Sequence, residues 1–231
     1  VPLRDDIERW LSNPVVAGLV VATVGTAAFY GGRRLLGGEA RLPSGVVPPQ
    51  RLAPPFAELH EDPVWPLQTS HPERGLVSYK DVHGVVHGNG SRRFGAPRDG
   101  RKHAGIDLYG YAGDPVLAIA DGTVVNTQTF HLGTDAVLVE HDGLVALYGE
   151  VDRGSWNDFG VREGSRVRRG QPIARVGCMI GTINNCDSHM LHFETYAPGT
   201  SNNEQWYGAP PPELRDPTVV LLAAAPAGVN A

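Results

Sequence analysis

Between residues 115 and 151 short apolar runs alternate with polar punctuation. "PVLAIADGTVVN" sets an Asp-Gly pair, Asp121 and Gly122, between two β-branched runs, and "AVLVEHDGLVALYGEV" repeats the device at Asp142 and Gly143. An Asp-Gly pair between such runs is a hairpin signal, because both turn positions favour positive φ. "VREGSRVRRGQPIARVG" supplies further short strands joined at Gly164 and Gly170. The pattern predicts a mostly β fold, a compact antiparallel sheet or sandwich, over residues 75–200. The flanks read differently. Residues 15–30, "VVAGLVVATVGTAAFY", carry no charge and follow an Asn13–Pro14 break, which predicts a helix within residues 1–36. With Gly31 and Gly32 it is at the lower limit of a membrane span, so residues 14–32 read either as an anchor or as a helix packed on protein. Residues 37–74 are proline-rich and predict a stiff, extended linker; residues 201–231 predict an irregular C-terminal tail.

Composition narrows the function. In a chain of 231 residues, 41% hydrophobic and 19% charged are values ordinary for a folded protein. A net charge of −5, with no basic run interleaved with aromatics, argues against a nucleic-acid partner. The two cysteines, Cys178 and Cys186, are too far apart for a C-x2-C metal knuckle. They read as free thiols or as a loop-closing disulfide; the disulfide is preferred because it orders a Gly- and Asn-rich loop, and it implies an oxidising compartment. Arg33, Arg34 and Arg41 pull the other way, since positive residues after a span favour a cytoplasmic C-terminal part.

The chemistry concentrates in two stretches. "SHMLHFETY" carries His189, His192 and Glu194, either one end of a metal site or a strand with two structural histidines. By strand periodicity Met190, His192 and Glu194 share one face and His189 takes the other. Upstream, "RKHAGIDLYG" places His103 four residues before Asp107. In an extended strand they would lie roughly 13 Å apart, too far to share one ion, so a bend is required, and Gly105 is suited to it. His83, His87 and His141 read as loop or structural residues. Arg92, Arg93 and Arg98 read as a solvated patch or as contacts for substrate carboxylates.

Four ordered blocks, "HAGIDL...GDPVLAIADGTVV", "VLVEHDGLVALYGEV", "GSRVRRGQPIARVG" and "MLHFE", resemble the lysostaphin-type (LytM-like) zinc endopeptidases of bacterial cell walls. The resemblance covers about residues 92–197 and implies Zn2+ held by His103, Asp107 and His192, with a fourth position open for water. The sequence departs from the family twice. Met190 stands where the family has the first histidine of H-x-H, and Glu150 stands where "YGH" is usual, so both customary catalytic histidines are absent. Period-two alternation puts Tyr148 and Glu150 on one face, which the resemblance lays over the groove; Met190 shapes the pocket, and Glu194, on the face of His192, reads either as a residue that orients that ligand or as a solvated strand residue. The implied function is hydrolysis of peptide cross-links in peptidoglycan, with water activated by zinc and Glu150. The alternative is an inactive zinc-binding module that binds peptidoglycan or regulates other wall hydrolases. The expected location is the cell envelope, anchored through residues 14–32 with the domain outside; the other placement is a phage-like or injection particle.

Overall fold

The computed structural model describes residues 54–79, 86 and 88–225. The expected N-terminal helix and anchor, His83 and His87 lie outside these residues. Among the described residues no helix is long and apolar enough to cross a membrane.

In chain order the first strands are β1 (Pro97–Arg98), β2 (Arg101–Lys102), β3 (Ile106–Leu108), β4 (Pro115–Leu117), β5 (Gly122–Thr129), β6 (Asp135–His141) and β7 (Leu144–Val151). They are followed by β8 (Arg166–Val167), β9 (Pro172–Arg175), β10 (Ile180–Thr182), β11 (Asn185–Ser188), β12 (Leu191–Tyr196) and β13 (Leu214–Arg215). A short helix, α1 (Thr218–Ala224), comes last. Every pairing between them is antiparallel. The main sheet runs β13-β12-β7-β6-β5-β8, and β3 shares the outer edge of β12 with β13.

Alternation along these strands makes two apolar layers. Ile106, Val137, Val139, Ala146, Tyr148, Leu191 and Phe193 face one core, together with Val116, Ile173 and Val176. Ala136, Leu138, Val145, Leu147, Tyr196 and Leu214 face the other, under Ala104 and Trp206. The Asp142–Gly143 signal forms the expected tight hairpin, with His141 opposite Leu144. The Asp121–Gly122 pair does not. It turns a corner, for β4 pairs with β9 while β5 pairs with β6 and β8. Gly122 lies so close to the Glu140 carbonyl that a Cβ would meet it at 2.6 Å, so glycine is used here for close approach.

The core draws on residues outside 75–200. The compact unit that holds the sheet takes in the described residues from 54 onward. Residues from 54 onward are extended, as their prolines predict, yet they are packed. Ala57, Trp65 and Leu67 are buried in the larger core, Val64 N–H donates to the Ile119 carbonyl at 2.9 Å, and Leu117 N–H donates to the Pro66 carbonyl at 2.8 Å. The expected irregular tail contributes β13, which pairs with β12, and α1, which buries Val220 and Leu221. Missing donors prevented neither segment from docking, because their apolar side chains found the sheet.

Candidate metal centre

β12 aligns the site. His192 lies opposite Asp107 of β3 on one side and opposite Gly149 of β7 on the other. The backbone bends at Gly105, carrying His103 back over this row. The approach is close: a Cβ on Gly105 would sit 2.5 Å from the Phe193 carbonyl oxygen and 2.8 Å from His192 Nε2. His103 Nε2, His192 Nδ1 and Asp107 Oδ1 then form a triangle with sides of 3.1, 2.9 and 3.0 Å.

The outer hydrogen bonds decide what faces the triangle. His103 Nδ1 lies 2.9 Å from the Arg93 carbonyl, which can only accept, so the proton sits on Nδ1 and Nε2 turns a lone pair inward. His192 Nε2 donates to Glu194 Oε1 at 2.8 Å, and Glu194 Oε2 accepts the Tyr196 hydroxyl. With those protons placed outside, two imidazole lone pairs and a carboxylate oxygen converge, an arrangement that repels itself unless a cation lies among them. Either a proton or a metal ion meets that need. Burial alone would lower the His192 pKa, but hydrogen bonds and charge from Asp107 and Glu194 push it up to about 10. Burial leaves His103 below its ordinary value. Burial would raise Asp107, yet the two histidine rings packed against it hold it well below the carboxylate range. A tetrahedral zinc with bonds of about 2 Å needs donors roughly 3.3 Å apart, so an N2O triangle of this size fits the ion with small relaxation.

Glu150 enters by a route that strand periodicity does not foresee. Asp135 pairs with Val151 and Ala136 with Gly149, which makes Glu150 an extra residue, a β-bulge, with φ of 60°. The bulge reverses the expected facing. Tyr148 is not over the groove: it is buried in the opposite core, where its hydroxyl accepts Ile119 N–H at 2.9 Å and lies 3.1 Å from His141 Nε2. Glu150 instead lines the same cleft as the three donors, 7% exposed, and its Oε2 has no hydrogen-bond partner. Burial pushes its pKa up to about 7, with Asp107 adding to the rise and His192, Arg92 and Arg98 opposing it.

The cleft has a volume of about 580 Å³, and Met190, Glu194 and Phe130 also line it. Arg92 Nη1 reaches the Met190 sulfur at 3.7 Å. His189 does not line the cleft, because its ring turns away to the Gly110 carbonyl at 2.7 Å and packs on Tyr111. Cys178 and Cys186 form a disulfide across the β10–β11 hairpin, and Met179 and Ser188 beside it make part of the cleft wall. The patch reading missed Arg98, which donates to Asp107 Oδ2 at 3.2 Å. Phe130, whose ring centre lies 5.4 Å from that of His192, and His131 on the cleft wall come from a loop without a sequence signal.

The family model for Peptidase family M23 matches residues 101–204. The Lipoprotein NlpD/LppB homolog of Pseudomonas aeruginosa is 39% identical over 98 residues, 42% of this chain and 30% of that protein. The glycyl-glycine endopeptidase ALE-1 of Staphylococcus capitis is 30% identical over 139 residues, 59% of this chain and 34% of that protein. The murein hydrolase activator NlpD of Escherichia coli is 35% identical over 116 residues, 49% and 27% respectively. The chain thus spans about a third of the length of the curated relatives it matches. Among solved structures, lysostaphin from Staphylococcus simulans is similar to 56% of this chain and 47% of its own, at 23% identity and a TM-score of 0.42. The stretch that carries all three donors and Glu150 is the stretch matched, and residues 101–204 are similar to Peptidase family M23.

Proposed function

We propose that the chain is a zinc-dependent endopeptidase that cleaves peptide bonds of peptidoglycan in the cell envelope, with His103, Asp107 and His192 as ligands and Glu150 as the proton carrier. One observation carries this reading: the partnerless carboxylate oxygen of Glu150, brought by a strained bulge into the cleft that the donor triangle lines. A non-glycine residue at positive φ costs about 1–2 kcal/mol, and a buried, unpaired carboxylate costs more; the fold retains both at one position. Bound zinc supplies Lewis acidity, polarising a peptide carbonyl and easing the deprotonation of water. Glu150 Oε2 accepts the proton of the attacking water and returns it to the amine nitrogen as the C–N bond breaks, which leaves the carboxylate as it began. Glu194 holds the His192 tautomer, and Arg98 steadies Asp107. Residues 14–32 are proposed as the tether.

The second reading, a module that regulates wall hydrolases, is favoured by Met190, which offers no proton, and by relatives named as murein hydrolase activators. Purified sacculi incubated with the full chain separate the two. The peptidase releases soluble peptides, chelator stops the release, and Glu150→Gln lowers it at least a hundredfold while zinc content stays unchanged. No release from sacculi by the zinc-loaded protein leaves the regulatory reading.

A further inference from the structure

The cleft shares Arg98 and Arg101 with a second hollow of about 300 Å³. Its lining is Pro97, Arg98, Gly100, Arg101, Lys102 and Gly208, three cations and no acid, in a chain of net charge −5. The β1–β2 hairpin builds this concentration at a cost, because its register sets Arg98 directly opposite Arg101. Like charges facing each other across a strand pair are unfavourable. Asp99, in the intervening turn, is not on the wall. Arg98 is committed to Asp107. Lys102 is held over the Trp206 ring at 5.0 Å, and its backbone N–H donates to the Trp206 carbonyl at 2.9 Å. Among the described residues no ion pair or hydrogen bond engages the Arg101 side chain, so a planar, five-donor fork stands unneutralised where the hollow meets the cleft.

We propose that this hollow is a subsite for a free carboxylate on the substrate peptide, received by Arg101 and supported by Lys102. The inference rests on the cleft being a peptide site and deepens that reading by assigning a substrate class: peptides with an acidic group near the scissile bond. A chain lying with its scissile bond at the donor triangle and extending past Arg98 brings such a group to Arg101. The guanidinium matches a carboxylate with paired N–H donors, and an amide in the same place offers it no charge.

The test uses fluorescein-labelled synthetic tetrapeptides, one with a free C-terminal carboxylate and its C-terminal amide twin. Both are titrated by fluorescence anisotropy against the full chain carrying Glu150→Gln, so that binding is read without cleavage. The expected result is about tenfold tighter binding of the free acid. Arg101→Gln erases the difference, and Arg101→Glu reverses it. Equal affinities, a preference that survives Arg101→Gln, or no saturable binding of either peptide overturns the proposal. Failure to digest sacculi would remove the hydrolase reading and leave these affinities standing, so the two results fail separately.

Discussion

The Glu150 carboxylate lies in the interior with one oxygen lacking a partner, so ionising it works against the fold. Its pKa is about 7 when folded, against an ordinary value near 4.5. Below pH 4.5 both states are protonated; between 4.5 and 7 the unfolded chain loses its proton first, and stability falls as pH rises. In chelator-treated protein Glu150→Gln is therefore stabilising, by an amount near zero at pH 4 and on the order of 3 kcal/mol at pH 8. Urea melts of both proteins across that range check it, and a pH-independent difference would refute the assignment. His192 has the same sign in the metal-free fold, whose stability falls as pH rises from 6.5 towards 10. With a pKa of about 10 it is protonated at neutral pH until a metal displaces that proton. Zinc uptake should release close to one proton per site, and affinity should rise about tenfold per pH unit between 6.5 and 8. Competition titrations with a chromophoric chelator would show this, and a flat profile would mean that Nδ1 does not face the ion. The grouping of His103, Asp107 and His192 is legible because residue type and spacing restrict it. Arg98 is not, because the motif says nothing about what holds the second oxygen of Asp107.

Period-two alternation sorts β6, β7 and β12 into two faces correctly along almost their whole length and fails at one residue. It set Glu150 beside Tyr148, whereas the bulge rotates Glu150 into the cleft and leaves Tyr148 in the opposite core. No local signal marked the bulge, since the residue at positive φ is a glutamate and not a glycine. The Asp-Gly rule failed similarly at Asp121–Gly122, where tertiary packing of β4 on β9 overrode the hairpin preference. Glycines at strand contacts have consequences of different sizes. A Cβ on Gly105 meets the Phe193 carbonyl, His192 Nε2 and Glu194 Cγ at 2.5, 2.8 and 2.9 Å, so β3 must move off β12. A Cβ on Gly149 meets the Phe130 ring at 2.9 Å, and a ring in a loop can swing aside. Gly105→Ala is expected to cost about 3 kcal/mol and most of the zinc affinity, and Gly149→Ala about 1 kcal/mol with zinc retained. Denaturant melts and metal analysis rank them; equal losses would mean that the β3–β12 spacing does not set the triangle.

The four blocks that carry the family resemblance outline the sheet and the site but not the folding unit. The prolines before residue 75 predict a spacer, yet they punctuate a strap whose Ala57, Trp65 and Leu67 fill the larger core. At the other end Trp206, Leu214, Val220 and Leu221 complete both apolar layers. Proline content reports which hydrogen bonds a segment forgoes, not whether its remaining side chains find a core, so this part was illegible before the sheet was known. Burying one large apolar side chain contributes about 1.5–3 kcal/mol, and a domain's net stability is about 5–15 kcal/mol. A fragment cut to residues 75–200 loses six such side chains and exposes the surfaces they cover. It should unfold without a cooperative transition, while residues 54–225 should melt sharply and bind zinc. Near-UV circular dichroism and calorimetry of the two fragments decide the matter. A cooperative, zinc-binding 75–200 fragment would show that the strap and the terminal helix decorate the domain, whereas its collapse would place the ligand triangle's rigidity in contacts made by chain on either side of the motif-bearing blocks.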